Sequence, residues 1–239
     1  MINREVGKTS YGQVYDAILL KIKNNIYKVG DRLPTNVELC DIYDVSRITV
    51  SRALSDLEKD GYIEKKQGKG CYVKFREINQ NISSFYSFTE ELKKMGCVPS
   101  AVFISLRKES PSSEVAAALD LNQGDKVFVL KRLRLADDII VAKDHSIIPE
   151  KYIPNFEKRM LAGGSLYEAL ENNYGFRPNH SEETIEAIDI GREDAQKMQI
   201  EEGSPVLLIK RISFYNEKKV EFNYRIVNTR KFKYTMSLK

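Results

Sequence analysis

The chain has 239 residues and a formal net charge of +4, and 42% of its residues are hydrophobic while 30% are charged. This length suits two domains of ordinary size. The composition excludes a disordered chain, and it excludes a bundle of membrane helices because no apolar run approaches the ~20 residues that a span needs.

Charge is divided unevenly along the chain. Residues 1–76 hold 14 Lys and Arg against 10 Asp and Glu, whereas residues 77–239 hold 24 of each. A basic module ahead of a neutral one favours a polyanion as partner of the first. The excess alone would equally suit an ordinary basic surface, so the motifs must decide between the two.

Cysteine and histidine are too few and too scattered to predict a metal site. Cys40, Cys71 and Cys97 form no Cys-x-x-Cys pair, and the two histidines are His145 and His180. The first ten residues lack the apolar core of a signal peptide. We therefore predict a reduced, cytoplasmic protein with no metal, no cofactor and no membrane partner.

The first predicted element is an amphipathic helix. Aromatic and aliphatic residues recur there at the three- and four-residue spacing of a helix face. The predicted face consists of Tyr11, Tyr15, Ile18, Leu19, Ile22 and Ile26.

Two further helices are predicted before residue 61. Thr35 and Glu38 form a capping box that opens a short helix, and this helix ends near Asp44. Ser46 caps the next helix, which ends at Gly61. The apolar face of this third helix consists of Val50, Ala53, Leu54 and Leu57.

A basic hairpin completes the first third of the chain. Residues 62–65 and 71–75 read as short strands, and the turn Gln67-Gly68-Lys69-Gly70 joins them. Three helices and a hairpin are the outline of a winged helix-turn-helix, whose third helix enters the major groove of DNA. The alternative is a three-helix bundle with a solvated basic face.

The start of the third helix carries short polar and basic side chains, namely Ser46, Arg47, Thr49 and Arg52. Arginine there is able to grip guanine O6 and N7 with two hydrogen bonds, and hydroxyls hold phosphates or base edges. Glycines in the hairpin turn let the backbone approach the duplex, and the neighbouring lysines supply charge for phosphates.

These residues resemble the GntR family of bacterial regulators. Residues 30–39 are similar to its "pGdrLPsErEL" signature, residues 45–54 to its "VSRiTVRqAL" motif, and residues 68–73 to its glycine-rich wing. The chain departs from the family at Asn36-Val37, at Ser51-Arg52 and at Cys71, which leaves the base preference open. The resemblance implies DNA contacts from Thr35, Asn36, Ser46, Arg47, Thr49, Ser51, Arg52, Lys66, Gly68, Lys69 and Gly70.

The remaining chain predicts a second domain after a linker. Residues 76–84 are polar and lack periodicity, so we assign them as the linker between a domain at residues 1–75 and one at residues 85–239. An internal repeat relates residues 118–133 to residues 197–212, and each copy reads as a helix end, a glycine turn and a long strand. Duplicated hairpins predict a mainly antiparallel sheet with helices on one side, an α+β domain.

Two arginines continue an apolar face of the first long strand. Strand alternation places Phe128, Leu130, Arg132 and Arg134 on the same face. Arginines are costly to bury without a partner, so this face should end in an anion or a carboxylate. Structural salt bridges, or a solvated sheet edge, are the alternatives.

The second domain resembles the UTRA effector domain of the HutC-type branch of the GntR family. Residues 87–99 are similar to its "SFtedm…rG..p" opening, and residues 132–137, 148–149, 165–167 and 203–207 to its later motifs. Residues 227–232 depart from its "yRgDry" segment. The resemblance implies a chorismate-lyase-like fold.

The same resemblance implies an effector site. Five residues match the phosphate-binding positions of sugar-phosphate-responsive relatives, namely Ser87, Arg132, Arg134, Ser165 and Tyr167. Phe88 belongs to the opening motif, and Thr89, Asp144 and Glu221 match positions near the sugar. There are plainer interpretations, in which Ser165 caps a helix, Tyr167 packs in the core, and the two acidic residues face solvent.

The sequence thus predicts a ligand-responsive transcription regulator, a repressor that acts as a homodimer on a palindromic DNA operator with half-sites about one helical turn (~34 Å) apart. Its effector would be a small phosphorylated metabolite such as a sugar phosphate. A carboxylate metabolite is the first alternative, because arginine pairs bind carboxylates equally well. A chorismate-lyase-like enzyme is the second, but no nucleophile–base pair, metal set or P-loop supports it, and we predict no enzymatic activity.

Overall fold

The computed structural model describes residues 10–24, 26–75, 78–81, 85, 87–162 and 164–235. The chain divides near residue 77 into two compact units. Within the described residues, we find no helix with the length and apolar character that crossing a membrane requires.

The first unit contains the three helices and the hairpin that were predicted. The helices are α1 (Ser10–Lys23), α2 (Asn36–Tyr43) and α3 (Arg47–Lys59), and the antiparallel hairpin joins β1 (Ile63–Lys66) to β2 (Gly70–Val73). Both predicted caps form, and they begin α2 and α3. The Thr35 hydroxyl accepts from the Glu38 amide at 3.3 Å, and the Ser46 hydroxyl accepts from the Thr49 amide at the same distance.

The core of the first unit corrects the predicted face of α1. The helix ends at Lys23, and Ile26 lies beyond it with 62% of its surface exposed. Val14, which the predicted face omitted, is fully buried together with Ile18. These two residues stand four apart, so they mark the centre of the buried stripe, and the tyrosines lie at its edge. The predicted face of α3 is confirmed, because all four of its residues are buried.

The second unit is built on a six-stranded antiparallel sheet. Its strands are β4 (Pro99–Glu109), β5 (Val127–Ala136), β6 (Ile139–Pro149), β7 (His180–Asp189), β8 (Pro205–Tyr215) and β9 (Lys218–Asn228). Their order in the sheet is β4-β5-β6-β9-β8-β7. The internal repeat corresponds to the hairpins β5–β6 and β8–β9, which pair side by side through β6 and β9.

A two-stranded parallel sheet lies within the segment assigned as linker. Strand β3 (Ile78–Asn81) pairs with β10 (Phe232–Thr235), near the end of the chain. These four residues therefore belong to the second unit, which corrects their assignment to the linker. Residues 76, 77 and 82–84 lie outside the described residues.

Helices cover both faces of the large sheet, and the prediction of helices on one side is wrong. The helices are α4 (Phe88–Lys94), α5 (Ser113–Ala118), α6 (Leu166–Tyr174) and α7 (Arg192–Met198). On one face, Leu166 and Leu170 of α6 pack with Phe128 and Leu130. On the other face, Val115 of α5 packs with Val127 and Val129, while Ala195 and Met198 of α7 pack with Leu133 and Val206. Strand β5 is buried on both sides, so each side needs a cover.

Candidate functional site

A buried polar cluster lies on the face of the sheet that α4 and α6 cover. The strand register aligns Arg132 of β5 with Asp144 of β6 and Arg225 of β9. Residues directly opposite in antiparallel strands share a face, so these side chains meet. Arg132, Arg134, Asp144 and Arg225 are each at most 5% exposed. We call these four residues the arginine cluster.

Asp144 is the centre of the arginine cluster. Its Oδ1 accepts a hydrogen bond from Arg225 Nε at 2.6 Å. Its Oδ2 lies 3.5 Å from Arg134 Nη1 and 3.9 Å from Arg132 Nη2. Burial would raise the pKa of Asp144, but the charges of Arg225, Arg134 and Arg132 outweigh burial and hold that pKa below its ordinary value. Asp144 is therefore a buried carboxylate anion shared by three cations.

The arginine cluster retains hydrogen-bonding capacity. Arg134 Nη2 donates to Thr89 Oγ1 at 2.7 Å, and Arg132 Nη1 donates to the Gly164 carbonyl at 3.3 Å. Within the described residues, the Nε atoms of Arg132 and Arg134 have no hydrogen-bond partner. Burial, with the neighbouring charge of Arg132, lowers the pKa of Arg134 to about 9. Buried unsatisfied donors and uncompensated positive charge both favour an anionic ligand.

The start of α4 contributes three residues to the site, namely Ser87, Phe88 and Thr89. Ser87 occupies the N-cap position and is buried, but its side chain makes no capping hydrogen bond. The Phe88 ring packs against two guanidinium groups, with Arg225 Cζ at 4.3 Å and Arg134 Cζ at 5.4 Å from its centroid. Such cation–π contacts hold the guanidinium planes in place without consuming their N–H donors.

A second buried group joins α6 to β8 and β9. The Tyr167 hydroxyl donates to Glu221 Oε2 at 2.7 Å, and the Ser213 hydroxyl donates to the same oxygen at 3.0 Å. Burial and the Glu221 charge raise the pKa of Tyr167, so the phenol keeps its proton. Ser165 caps α6 through a 3.3 Å hydrogen bond from the Glu168 amide, as its plainer interpretation predicted.

The structure brings all nine predicted effector residues to one cavity of about 20 Å³. These residues are Ser87, Phe88, Thr89, Arg132, Arg134, Asp144, Ser165, Tyr167 and Glu221. Asp144 and Glu221 are 1% and 2% exposed, so the interpretation that they face solvent is wrong. Five further residues line this cavity and were not predicted from the sequence, namely Ser146, Leu166, Arg211, Asn223 and Arg225.

The internal repeat contains the signal for two of the missed residues. With its offset of 79 residues, the predicted Arg132 and Asp144 correspond to Arg211 and Asn223, while Ser146 and Arg225, both missed, correspond to each other. The two hairpins are adjacent in the sheet, so equivalent positions converge on one cavity. Arg211 also forms a buried ion pair with Glu183 of β7.

The predicted DNA-contacting residues lie at the start of α2, in the first half of α3 and in the hairpin of the first unit. Arg47 is exposed, beside Ile48 with 82% of its surface exposed. Asn36 of α2 donates to Ser51 of α3 at 3.2 Å, and Thr35 and Ser46 serve as caps. Arg52 stacks on the Tyr11 ring of α1 with its Cζ at 3.9 Å from the centroid.

The hairpin turn presents the remaining predicted contacts. Gly68 and Gly70 have φ angles of 71° and 105°, which glycine adopts without strain, and both flank the exposed Lys69. Lys66 lies 2.8 Å from the Glu64 carboxylate and 4.7 Å from the Tyr72 ring centroid. In the described part of the chain, no group of His, Cys, Asp and Glu side chains is arranged to hold a metal ion.

Two protein families match this chain. Residues 10–73 match the model of the gntR family of bacterial regulatory proteins, and residues 94–233 match the UTRA domain. The second match spans more than half of the chain. Both resemblances found in the sequence are confirmed, and so is the fold class of an N-terminal helix-turn-helix domain followed by an α+β domain with a mainly antiparallel sheet.

Relatives with similar sequence or structure cover nearly the whole chain. It is 28% identical over 213 residues to the HTH-type transcriptional repressor NagR of Bacillus subtilis (strain 168), across 89% of this chain and 87% of that protein. It is 29% identical over 211 residues to a probable fructoselysine utilization operon transcriptional repressor of Escherichia coli (strain K12), across 88% and 86%. The crystal structure of PhnF from Mycobacterium smegmatis has the same fold, with a TM-score of 0.67 and 21% identity over 97% of this chain and 99% of that one.

Proposed function

The chain belongs to the GntR family of bacterial transcription regulators, in the HutC-type branch that carries a UTRA domain, and from this premise we propose that it is a repressor whose affinity for DNA depends on a small anionic effector. The arrangement of α1, α2, α3 and the hairpin supports binding to duplex DNA. Two similar proteins are named as transcriptional repressors. A repressor that binds chromosomal DNA of a bacterium would act in the cytoplasm.

On the DNA side, we propose that Arg47 reads a base edge and that the hairpin turn holds phosphates. Arg47 is exposed at the first position of α3, and the side chains around it are short. Lys69 and the backbone of Gly68 and Gly70 form an exposed basic turn. A homodimer would place two copies of α3 on a palindromic operator.

On the effector side, we propose that the second unit binds a phosphorylated metabolite, a hexose phosphate in particular. The observation that carries this proposal is the arginine cluster, in which Arg132 and Arg134 are fully buried and keep unpartnered Nε donors within the described structure. Guanidinium forks match phosphate geometry, and the hydroxyls of Ser87, Ser165 and Tyr167 line the same cavity. Asp144 and Glu221 are suited to accept hydrogen bonds from sugar hydroxyls.

A carboxylate metabolite is the second candidate, and one observation favours it. The arginine cluster already surrounds a carboxylate, that of Asp144. An effector carboxylate would present the same geometry to Arg132 and Arg134. The hydroxyl groups around the cavity favour phosphate over carboxylate, because a phosphate has three terminal oxygens to satisfy.

We propose a binding role for this site, without turnover. Its acidic groups serve other side chains: Asp144 neutralises arginines, and Glu221 accepts from Tyr167 and Ser213. His145 is the neighbour of Asp144 in sequence, so strand alternation directs it to the opposite face of β6. Stable capture of the ligand is what a regulator requires of such a site.

Ligand-induced thermal stabilisation tests the proposal. Hexose 6-phosphates, the unphosphorylated sugars and simple carboxylates would be compared on the wild type, on Arg132→Ala and on the control Arg107→Ala, which removes an exposed arginine of β4. A ligand at about 100 times its Kd stabilises by about 2.7 kcal/mol, so the melting temperature should rise by several degrees. We expect a phosphate-dependent rise in the wild type and the control that Arg132→Ala abolishes. A rise with carboxylates alone would establish the second candidate, and no rise with any phosphate would refute the first.

A further inference from the structure

A second cavity, of about 400 Å³, adjoins the arginine cluster on the same face of the sheet. Its floor is formed by Ala101 and Phe103 of the edge strand β4. The register places Ala101 opposite Arg134 and Phe103 opposite Arg132, so the floor lies one strand away from the two arginines. Its other wall is formed by the 3₁₀ turn Lys158–Leu161 and by Ala162. We call this space the β4 cavity.

Arg132 belongs to both cavities and stands between them. It lines the small cavity of the arginine cluster and the β4 cavity alike. One hydrogen bond of 3.3 Å, from its Nη1 to the Gly164 carbonyl, joins Arg132 to the wall of the β4 cavity. A bond of this length is at the weak end of the N–H···O range, so a ligand group that binds Arg132 better is able to replace it.

The two cavities differ in size, so they accept different parts of a ligand. The cavity of the arginine cluster measures about 20 Å³, which is enough for roughly one water molecule. A substituent on a ligand that binds the arginines has no room in this small cavity, and the β4 cavity is the adjoining space on the Arg132 side. Its volume of about 400 Å³ lies within the range of pockets that hold small molecules.

The lining of the β4 cavity defines what chemistry it accepts. The apolar lining consists of methyl groups, an isobutyl group and an aromatic ring, from Ala101, Ala162, Leu161 and Phe103. Arg159 also lines the cavity, and its Nε lies 2.8 Å from the Glu157 carboxylate. Lys158 crosses the Phe103 ring with its Nζ at 4.5 Å from the centroid, and Lys158 is exposed. Because its ammonium group reaches water, Lys158 is able to leave the ring and let a flat group stack on Phe103.

We propose that the effector is a phosphorylated sugar that carries a ring-sized apolar substituent, and that this substituent binds in the β4 cavity while the phosphate binds the arginine cluster. This inference rests on the proposed function, because it assumes that the arginine cluster holds the phosphate. Small residues at positions 101 and 162 keep the space open, and Phe103 supplies the stacking surface.

Titration calorimetry with a matched pair of ligands tests the inference. Glucose 6-phosphate and phenyl β-D-glucopyranoside 6-phosphate differ only in the substituent. We expect the phenyl compound to bind the wild type at least about tenfold more tightly, because its ring buries apolar surface. Ala101→Phe fills the cavity and should abolish that advantage while leaving the affinity for glucose 6-phosphate within about twofold. Ala187→Phe, at an exposed position of the opposite edge strand β7, should behave as the wild type.

The outcomes separate the two proposals. Equal affinities of the wild type for both ligands would overturn the β4-cavity inference while upholding the phosphate site. A phenyl advantage that survives in Ala101→Phe would also overturn it, since the ring would then bind elsewhere. If neither ligand binds, this inference fails, and the thermal panel of hexose 6-phosphates decides the hexose phosphate proposal separately. Should Ala101→Phe not fold, Ala162→Phe fills the same cavity from its exposed wall and takes its place.

Discussion

At the scale of single residues, Asp144 determines the electrostatics of the arginine cluster. It is 1% exposed, and three guanidinium groups surround it. A charge of either sign is costly to bury alone, so the arginines and the carboxylate depend on one another. An anionic effector would enter a site whose positive charge Asp144 only partly neutralises.

The substitution Asp144→Asn tests this dependence. Without the carboxylate, three buried cations repel one another, and we expect the free energy of unfolding at pH 7 to fall by about 3–5 kcal/mol. Urea denaturation measures the loss, and Asp189→Asn, at an exposed end of β7, is the control. A phosphate ligand should raise the free energy of unfolding of Asp144→Asn by more than that of the wild type, because it supplies the missing negative charge. Equal free energies of unfolding for Asp144→Asn and Asp189→Asn would contradict the central role of Asp144.

His145 gives the second unit a predictable response to acid. Burial, with the nearby charges of Lys143 and Lys131, lowers its pKa from 6.5 to about 4. In the described structure its Nε2 has no hydrogen-bond partner. The unfolded chain therefore binds the proton more readily, and the contribution of His145 to stability is present above pH 6.5 and is lost as the pH falls towards 4.

Replacing His145 by Gln should flatten the dependence of stability on pH within that window. The measurement is the free energy of unfolding of the wild type and His145→Gln at intervals between pH 4 and pH 7. His180→Gln, at an exposed position of β7, controls for the loss of an imidazole. An unchanged slope in His145→Gln would show that other groups govern this acid response.

At the scale of elements, local signals predicted what local interactions determine. The capping box of α2, the cap of α3 and the buried face of α3 each depend on residues within one or two helical turns. The alternation that placed Arg132 and Arg134 on one face of β5 is local as well. These features could therefore be predicted from the sequence without knowledge of the partner strands.

The features that escaped prediction depend on distant pairings. Strand β3 pairs with β10 about 150 residues later in the chain, and no pattern in either segment specifies the other. Arg225 reaches Asp144 because β6 and β9 are adjacent, and that adjacency follows from the register of the whole sheet. The nine residues of the proposed effector site were predicted from family resemblance, since their separate positions carry no common spacing.

Helix α3 is the element that we propose reads the operator sequence. Arg47→Ala should cost about 1–3 kcal/mol of affinity at the cognate operator and relax the base preference at one position. Lys59→Ala, at the opposite end of α3, is the control and should leave both unchanged. Binding of the variants to operators with single base changes measures the effect. A base preference unchanged by Arg47→Ala would remove Arg47 from base reading.

At the scale of the whole molecule, charge and ligand chemistry are divided between the two units. The net excess of +4 lies within residues 1–76, where DNA binding is proposed, while the remaining residues balance. Effector binding in the second unit controls DNA binding in the first only if the effector has different affinities for the DNA-binding and the non-binding states. By the same linkage, DNA must change the affinity for the effector by an equal factor.

The most direct test of the account measures that linkage. The protein would select its own operator from a pool of random duplexes, and fluorescence anisotropy would then give the Kd for that duplex with and without the hexose phosphate that stabilises the protein most. We predict a change in Kd of at least about fivefold, the lower end of ordinary allosteric coupling, in the wild type and in Arg107→Ala, and none in Arg132→Ala. Two results would contradict a repressor controlled through the arginine cluster. The protein would select no specific duplex, or the hexose phosphate would change the Kd of Arg132→Ala as much as that of the wild type.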